Sequence, residues 1–378
     1  MPYSSVKKLR NTVVRILYVT TIGSTMNFFK EFIEKLVLEG HTVDIACNDS
    51  TTEVSEYFYK LGCRVYSMSM SRSPFSKGNL KAVRQIKKLV AEEKYDIIHC
   101  HTPVASVCTR LACRKLRKTG ARVFYTAHGF HFYKGASLKN WLLYYPVEKF
   151  CSRFTDVLIT INKEDFGLAQ KKMHAARVEY VPGVGIDVQR FSSTEADRAQ
   201  YRRELGIPED AVLLLSVGEL NENKNHQTVI SAIADLDVYY IIAGKGGSEE
   251  ALRDTVSKLH LEERVKLLGY RKDIDALCAV SDIFVFPSFR EGLPVSVMEA
   301  MASGMPVVCS RIRGNTDLID ENGGIFFDPH DTDDCRKAIT QMLASDMQKY
   351  GAINRERAKA YSVDTINTQM KQIIENAL

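Results

Sequence analysis

Glu291 and Glu299, eight residues apart, sit in the stretch of this chain with the most chemistry to offer, Pro287-Ser-Phe-Arg-Glu-Gly-Leu-Pro-Val-Ser-Val-Met-Glu-Ala-Met-Ala-Ser-Gly-Met-Pro-Val-Val308. It reads as strand, Gly/Pro loop, helix and strand. Gly292 and Pro294 let the loop backbone approach a ligand closely, and N–H groups at the helix start suit phosphate oxygens. A carboxylate at each end of such a loop can grip hydroxyls at opposite ends of a sugar nucleotide. Metal chemistry has weaker support. D-x-D occurs as Asp235-Leu-Asp237, Asp273-Ile-Asp275 and Asp331-Thr-Asp333, and three such carboxylate pairs could hold a cation under a diphosphate. Each, however, falls where a turn or helix N-terminus accounts for it, and no H-E-x-x-H or Cys/His cluster suggests zinc. We expect no metal and no cofactor. G-x-G-x-x-G after a strand and G-x-x-x-x-G-K-[ST] are both absent, which argues against a dehydrogenase and an NTPase.

Alternating elements must position these groups. β-rich runs at Val13–Thr20, Thr42–Cys47, Arg64–Met68, Asp96–His101, Arg122–Ala127, Asp156–Ile161 and Arg177–Val181 are separated by segments of helical periodicity. The pattern restarts after the Pro/Gly-rich stretch Val181-Pro-Gly-Val-Gly-Ile-Asp187, with runs at Val212–Val217, Val238–Ala243, Val265–Leu268, Ile283–Pro287, Pro306–Cys309 and Gly324–Phe327. This order predicts an α/β protein of two Rossmann-like, doubly wound parallel-sheet domains facing a cleft, with ligands at the C-terminal strand ends. The expected boundaries are 1–185, 186–360, and a C-terminal helix over 361–378 that can pack back on the first domain.

The string E-x7-E followed by E-A-M-A-x-G-x-P-V-V resembles the signature of the family 4 retaining glycosyltransferases of GT-B fold. That resemblance covers most of the chain and implies a nucleotide diphosphate sugar as donor, held by the second domain, and an acceptor held by the first. It implies that Glu291 contacts the donor sugar and Glu299 the ribose, with Gly292 and Leu293 backbone near the sugar and diphosphate. Val217-Gly-Glu-Leu-Asn-Glu-Asn-Lys-Asn225 matches a second family element, usually G-R-L with Lys five residues after the Arg. Lys224 fits, whereas Glu219 stands in the place of that Arg beside Gly218. An anion there should cost catalysis unless another cation substitutes, with Arg290, Arg311, Arg313 and Arg271 as candidates. G-E-L with N-K-N is similar to a subgroup of bacterial capsule and exopolysaccharide transferases. Gly244, and Tyr270 with Arg271, follow the next two strands, where the family places the base and ribose. Tyr125-Thr-Ala-His-Gly129 is similar to the family's T-x-H element, so His128 is expected at the donor sugar, where imidazole can donate a hydrogen bond. His99 and His101, at the neighbouring strand's end, are candidates for the same cleft, and Gly23 corresponds to the loop after the first strand.

Composition is that of a globular chain: 378 residues, 45% hydrophobic and 26% charged, are enough for about two cores. No apolar run approaches a membrane span. Lys7, Lys8 and Arg10 precede the run Val13–Val19, which Arg15 interrupts, so a first strand is expected there rather than a signal peptide. The nine cysteines include no C-x-x-C and are expected to be reduced core thiols of a cytoplasmic protein. Residues 1–187 hold 29 Lys and Arg against 16 Asp and Glu, while residues 188–378 hold 22 against 30. The basic half is expected to face something anionic. A helix over Pro103–Lys118 would carry Arg110, Arg114 and Arg117 on one face, with Lys115 and Lys118 nearby. These residues, with Lys81, Arg84, Lys87 and Lys88, are a candidate contact with an anionic leaflet at the inner face of the plasma membrane. A lipid-linked or saccharide acceptor fits that picture, and no nucleic-acid partner is expected. Two other readings remain open: a nucleotide-sugar-binding assembly subunit without catalysis, suggested by Glu219, and a nucleotide-sugar epimerase of similar fold.

Overall fold

The structure, a computed structural model, describes residues 13–378; Lys7, Lys8 and Arg10 fall outside them. The chain forms two compact units, one running to Val184 and including Asn367–Leu378, the other spanning Gly185–Ile366. The first holds a parallel sheet of seven strands: β1 (Arg15–Ile22), β2 (Thr42–Asn48), β3 (Val65–Ser67), β4 (Ile97–His101), β5 (Arg122–Ala127), β6 (Val157–Thr160) and β7 (Arg177–Tyr180). The second holds six: β8 (Leu213–Val217), β9 (Tyr239–Ala243), β10 (Val265–Gly269), β11 (Ile283–Phe286), β12 (Val307–Ser310) and β13 (Gly324–Phe327). The order is β3-β2-β1-β4-β5-β6-β7 in one sheet and β10-β9-β8-β11-β12-β13 in the other. Each sheet therefore reverses direction of growth once, between β1 and β4 and between β8 and β11. At such reversals the connections leave opposite faces, and the strand ends there are open to ligands.

All thirteen strands expected from the sequence form, and this is the GT-B architecture. Their ends differ for simple reasons. β1 runs on to Ile22 because Ile22 still pairs with Asn48. β12 starts at Val307 because Pro306 has no N–H to give a ladder. Burial on both faces explains the near-continuous apolar strands, since helices cover each side of a parallel sheet. In the first unit Leu17, Val19, Ile98, Cys100, Val123 and Tyr125 join helix residues such as Ile86 and Ala105 in one core. Leu214, Ile242, Ile283, Val285 and Val308 do the same with Val229 and Ile339 in the second. All nine cysteines are buried and unbridged. No helix among the described residues is long and apolar enough to cross a membrane.

Candidate functional site

In the second unit the switch point between β8 and β11 brings Lys224 and Glu291 together. Lys224 Nζ lies 2.8 Å from Glu291 Oε1, and also sits over the Phe286 ring at 4.7 Å from its centroid. Both side chains are mostly buried, so each charge depends on the other for compensation. The local sequence explains how they are held. Asn221 caps the short turn Glu222–Lys224 by accepting from Lys224 N–H at 3.0 Å. Asn223 Nδ2–H donates to Arg290 O at 2.9 Å, and Phe289 N–H returns a bond to Asn223 O at 2.8 Å. Asn225 takes a left-handed conformation (φ 55°), which asparagine tolerates better than most residues, and its Nδ2–H group donates to Pro287 O and Pro329 O. Asn223 and Asn225 thus fasten the Lys224 turn to the Glu291 loop. The sequence showed N-K-N but gave no reason to assign the asparagines this work.

Leu293 and Pro294 are buried, Gly292 is half-buried, and Pro294 directly precedes the helix Val295–Ala302. Glu299 lies on that helix. Burial pushes its carboxyl up to about 7, with Arg190 opposing the rise and Asp275 adding to it. Arg190 itself grips Asp275 through Nε at 3.0 Å and Nη2 at 2.7 Å. Neither Arg190 nor its bond to one half of a D-x-D pair was legible in the sequence. Asp273, the other half, is held well below the usual carboxylate range by Arg271 and Tyr201. Asp331 caps a helix, accepting from Asp333 and Asp334 N–H groups, and Asp235 pairs with Arg336 at 3.5 Å. Gly218 and Gly244 follow β8 and β9, where the two backbones nearly touch: a Cβ on Gly244 would lie 1.7 Å from Gly218 O. Glu219 and Tyr270 are exposed. Among the cations that could replace the expected Arg, Arg271 is engaged by Asp273 and Arg311 by Glu321, while Arg313 is buried. Arg290 adjoins Glu291, is half-buried, and has no ion pair among the described residues.

The first unit carries a different group at the ends of β4 and β5. His128 is exposed and His101 behind it is buried, with His101 Nδ1 3.1 Å from His128 Nε2. His99 meets Thr126 Oγ1 at 2.8 Å. His101 packs against the rings of Tyr18 and Phe29, which also touch each other, and its Nε2 has no hydrogen-bond partner among the described residues. A bare nitrogen lone pair is tolerated there more readily than an N–H without an acceptor. This favours His101 Nδ1–H donating to His128 Nε2, which leaves the His128 proton on Nδ1. Burial, reinforced by the neighbouring imidazoles, lowers His101 well below its usual range and His99 to about 3. Both are neutral at physiological pH. Gly23 starts the turn after β1, where a Cβ would lie 2.3 Å from Thr52 O, so packing accounts for this glycine.

Comparison with known proteins gives the family of the chain. The family model Glycosyl transferases group 1 matches residues 197–362, and Glycosyl transferase 4-like matches residues 15–162. The chain is 42% identical over 267 residues to the Bacillus subtilis protein EpsD, a glycosyltransferase by name, covering 68% of this chain and 70% of that one. It belongs to the family 4 glycosyltransferases. Its reaction is therefore retaining transfer of a sugar from a nucleotide sugar. It is also 27% identical over 327 residues, 82% of each chain, to the Escherichia coli UDP-Gal:alpha-D-GlcNAc-diphosphoundecaprenol alpha-1,3-galactosyltransferase. Among solved structures, HepE of Anabaena in complex with UDP and glucose superposes with a TM-score of 0.79 at 20% identity, covering 96% of this chain and all of that one.

For this family 4 glycosyltransferase the basic face expected over Pro103–Lys118 needs correction. The helix ends at Cys113, and Leu116–Thr119 forms a separate tight turn, so Arg117 does not continue the helical face. Arg110 is fully buried; its guanidinium lies 2.9 Å from Glu148 and over the Tyr125 ring. Arg117 pairs with Asp156 at 2.5 Å. Arg114 and Lys115 are exposed, and the side chain of Lys118 lies outside the described residues. His101, a candidate for the acceptor face, is only 1% exposed and lies behind His128.

Proposed function

We propose that this protein moves a hexosyl or N-acetylhexosaminyl group from a UDP-sugar to a lipid-linked saccharide during capsule or exopolysaccharide assembly, without a metal. The observation that carries the reading is the Lys224–Glu291 pair at the β8/β11 switch point. Glu291 contacts the donor sugar, and Lys224 stabilises the diphosphate as its charge develops. Arg290 supplies the second cation in place of the Arg that Glu219 replaces. Gly292, Leu293 and Pro294 offer backbone to the sugar and diphosphate, Glu299 takes the ribose hydroxyls, and Gly218, Gly244, Tyr270 and Arg271 line the nucleotide's side. His128 hydrogen-bonds the transferred sugar. No side-chain nucleophile is required: the acceptor hydroxyl attacks on the face the leaving group departs from, and the departing diphosphate takes the hydroxyl's proton. The protein's contribution is positioning and charge stabilisation.

The UDP donor is supported by the relative named for UDP-Gal and by the UDP complex of HepE, and the lipid-linked acceptor by the same relative's diphosphoundecaprenol substrate. Such an acceptor requires contact with the cytoplasmic face of a membrane. Exposed Lys81, Arg84, Lys87 and Lys88 on the helix Lys77–Glu93, with exposed Arg114 and Lys115, suit an anionic leaflet at about 1 kcal/mol each. Incubation of the purified protein with a panel of nucleotide sugars tests the assignment. Slow release of UDP from one UDP-sugar, unaffected by EDTA, is expected. Binding of the sugar nucleotide with no turnover under any acceptor condition would instead identify a catalytically silent assembly subunit.

A further inference from the structure

Within the first unit a cavity of about 600 Å³ opens beside the ends of β1 and β4. One wall is the helix Pro103–Cys113, which turns Val104 and Val107 toward it; another is the helix Leu138–Ser152, which contributes Leu143 and Val147. Phe75 and Arg72, on the loop before the helix Lys77–Glu93, form the rim. Val104 and Val107 are half-buried, Val147 is 43% exposed and Phe75 82% exposed, so an apolar surface is left without protein to cover it. Leu143, Val147 and Phe150 follow i, i+4, i+7 spacing and carry that surface along the outer side of the helix. A concave apolar surface between two helices is a common form of ligand site.

The charges at the cavity are not balanced. Glu148 reaches the lining, but its carboxylate is matched by buried Arg110 at 2.9 Å. Arg72 is exposed and has no ion pair among the described residues, so the rim carries a net positive charge. An apolar trough with a cationic lip complements an amphiphile whose chain ends in an anionic group. We propose that this cavity holds the prenyl chain of a polyprenyl-diphosphate-linked acceptor, with Arg72 at the diphosphate. The proposal rests on the lipid-linked acceptor reading above and assigns it a site. Val104, Val107, Leu143 and Val147 contact the isoprene units nearest the diphosphate, and the rest of a long chain leaves past Phe75 and Phe150.

Trp141, the only tryptophan, lies on the helix that carries Leu143 and Val147 and packs against Phe132 and Tyr145, so its emission can follow a change at that wall of the cavity. Farnesyl diphosphate added to the full-length protein should shift that emission saturably, whereas inorganic diphosphate alone should not. Val107→Phe, which fills the cavity from a half-buried position, should weaken farnesyl diphosphate binding by tenfold or more. Arg72→Ser, at an exposed position, should weaken it several-fold while leaving the weaker binding of farnesol unchanged. UDP binding should be the same in all three proteins, which separates failure here from failure of the transferase assignment. Absence of a saturable shift, equal binding by wild type and both variants, or equal binding of dodecyl phosphate would each overturn the prenyl site, the last by revealing a general anionic-amphiphile surface.

Discussion

The two strand-end clusters solve different electrostatic problems. Around Lys224 and Glu291, full charges are placed in a mostly buried site and kept there by compensation, with Asn221, Asn223 and Asn225 fixing the geometry through backbone bonds. Around His128 there is no charge at all: His99 and His101 are pressed into the neutral form by burial, and only their directional hydrogen bonds remain useful. The first arrangement suits a leaving group that gains negative charge, and the second suits hydroxyls that must be oriented without being ionised. The contrast teaches that a site's charge state can be built by pairing or by exclusion. Removing one member of the pair should therefore be far more damaging than changing a member of the neutral cluster.

Lys224→Ala and Glu291→Ala break the comparison at its strongest point. Each should reduce turnover by about a hundredfold or more, because each removes charge stabilisation and leaves its partner's charge uncompensated. Circular dichroism should show the fold intact, with a melting midpoint lowered by the uncompensated charge. A double variant should lose less than the product of the two single losses, since the pair is shared. Turnover within a few-fold of wild type in either single variant would remove the pair from the mechanism.

Glu299 sharpens the contrast from inside the charged site. With its carboxyl raised to about 7, mainly by burial, it is ionised above that pH and increasingly protonated below it. As a carboxylate acceptor for ribose hydroxyls it should bind donor more weakly as pH falls from 8 to 6, with a limiting slope of about tenfold per pH unit in donor KM well below the transition. Stability moves the other way: a raised carboxyl favours the folded state below its ordinary range and loses that contribution as pH climbs through about 7. Glu299→Gln should bind donor weakly at every pH and flatten the profile. A pH-independent wild-type KM over this range would mean that Glu299 does not act as a carboxylate toward the donor.

How far the sequence could be read follows from which interactions are local. Strand positions were legible to within two residues because buried parallel strands must be apolar runs; the ends shifted by a residue or two, as at Ile22, which still pairs with Asn48, and at Val307, which follows Pro306. Glu291 and Glu299 stood out through one long motif string, and Lys224 through a second, shorter match that Glu219 interrupts. Arg190 did not, because its partner Asp275 lies far along the chain and only the fold joins them. Arg110 misled for the same reason: helical spacing placed it on a basic face, but Glu148 draws it into the interior and satisfies its charge there. The asparagines at positions 223 and 225 look like ordinary turn residues until the loop they bind is seen beside them.

The smallest expected effect concerns the neutral cluster. His101 faces Tyr18, Phe29, His99 and His128, and no carboxylate is among these neighbours. Its folded range is depressed, so the unfolded chain binds protons that the folded unit refuses. The resulting stability is fully present above about pH 6.5 and is lost as pH falls toward the folded value, at about 1.4 kcal/mol per pH unit for each such histidine. His99, lowered to about 3, adds a second contribution of the same sign. Thermal melting between pH 7.5 and 5 should therefore show a falling midpoint for wild type and a shallower fall for His101→Phe, whose ring suits the Tyr18 and Phe29 surroundings. The variant also releases His128 from the bond that fixes its Nδ1–H form, so turnover at pH 7.5 should drop only several-fold and donor KM change little. His101→Asn or His101→Gln, by keeping a side-chain donor toward His128, should restore part of that turnover. If His101→Phe leaves turnover unchanged, His101 only fills space; if its acid slope equals that of wild type, His101 is not the group that resists protonation.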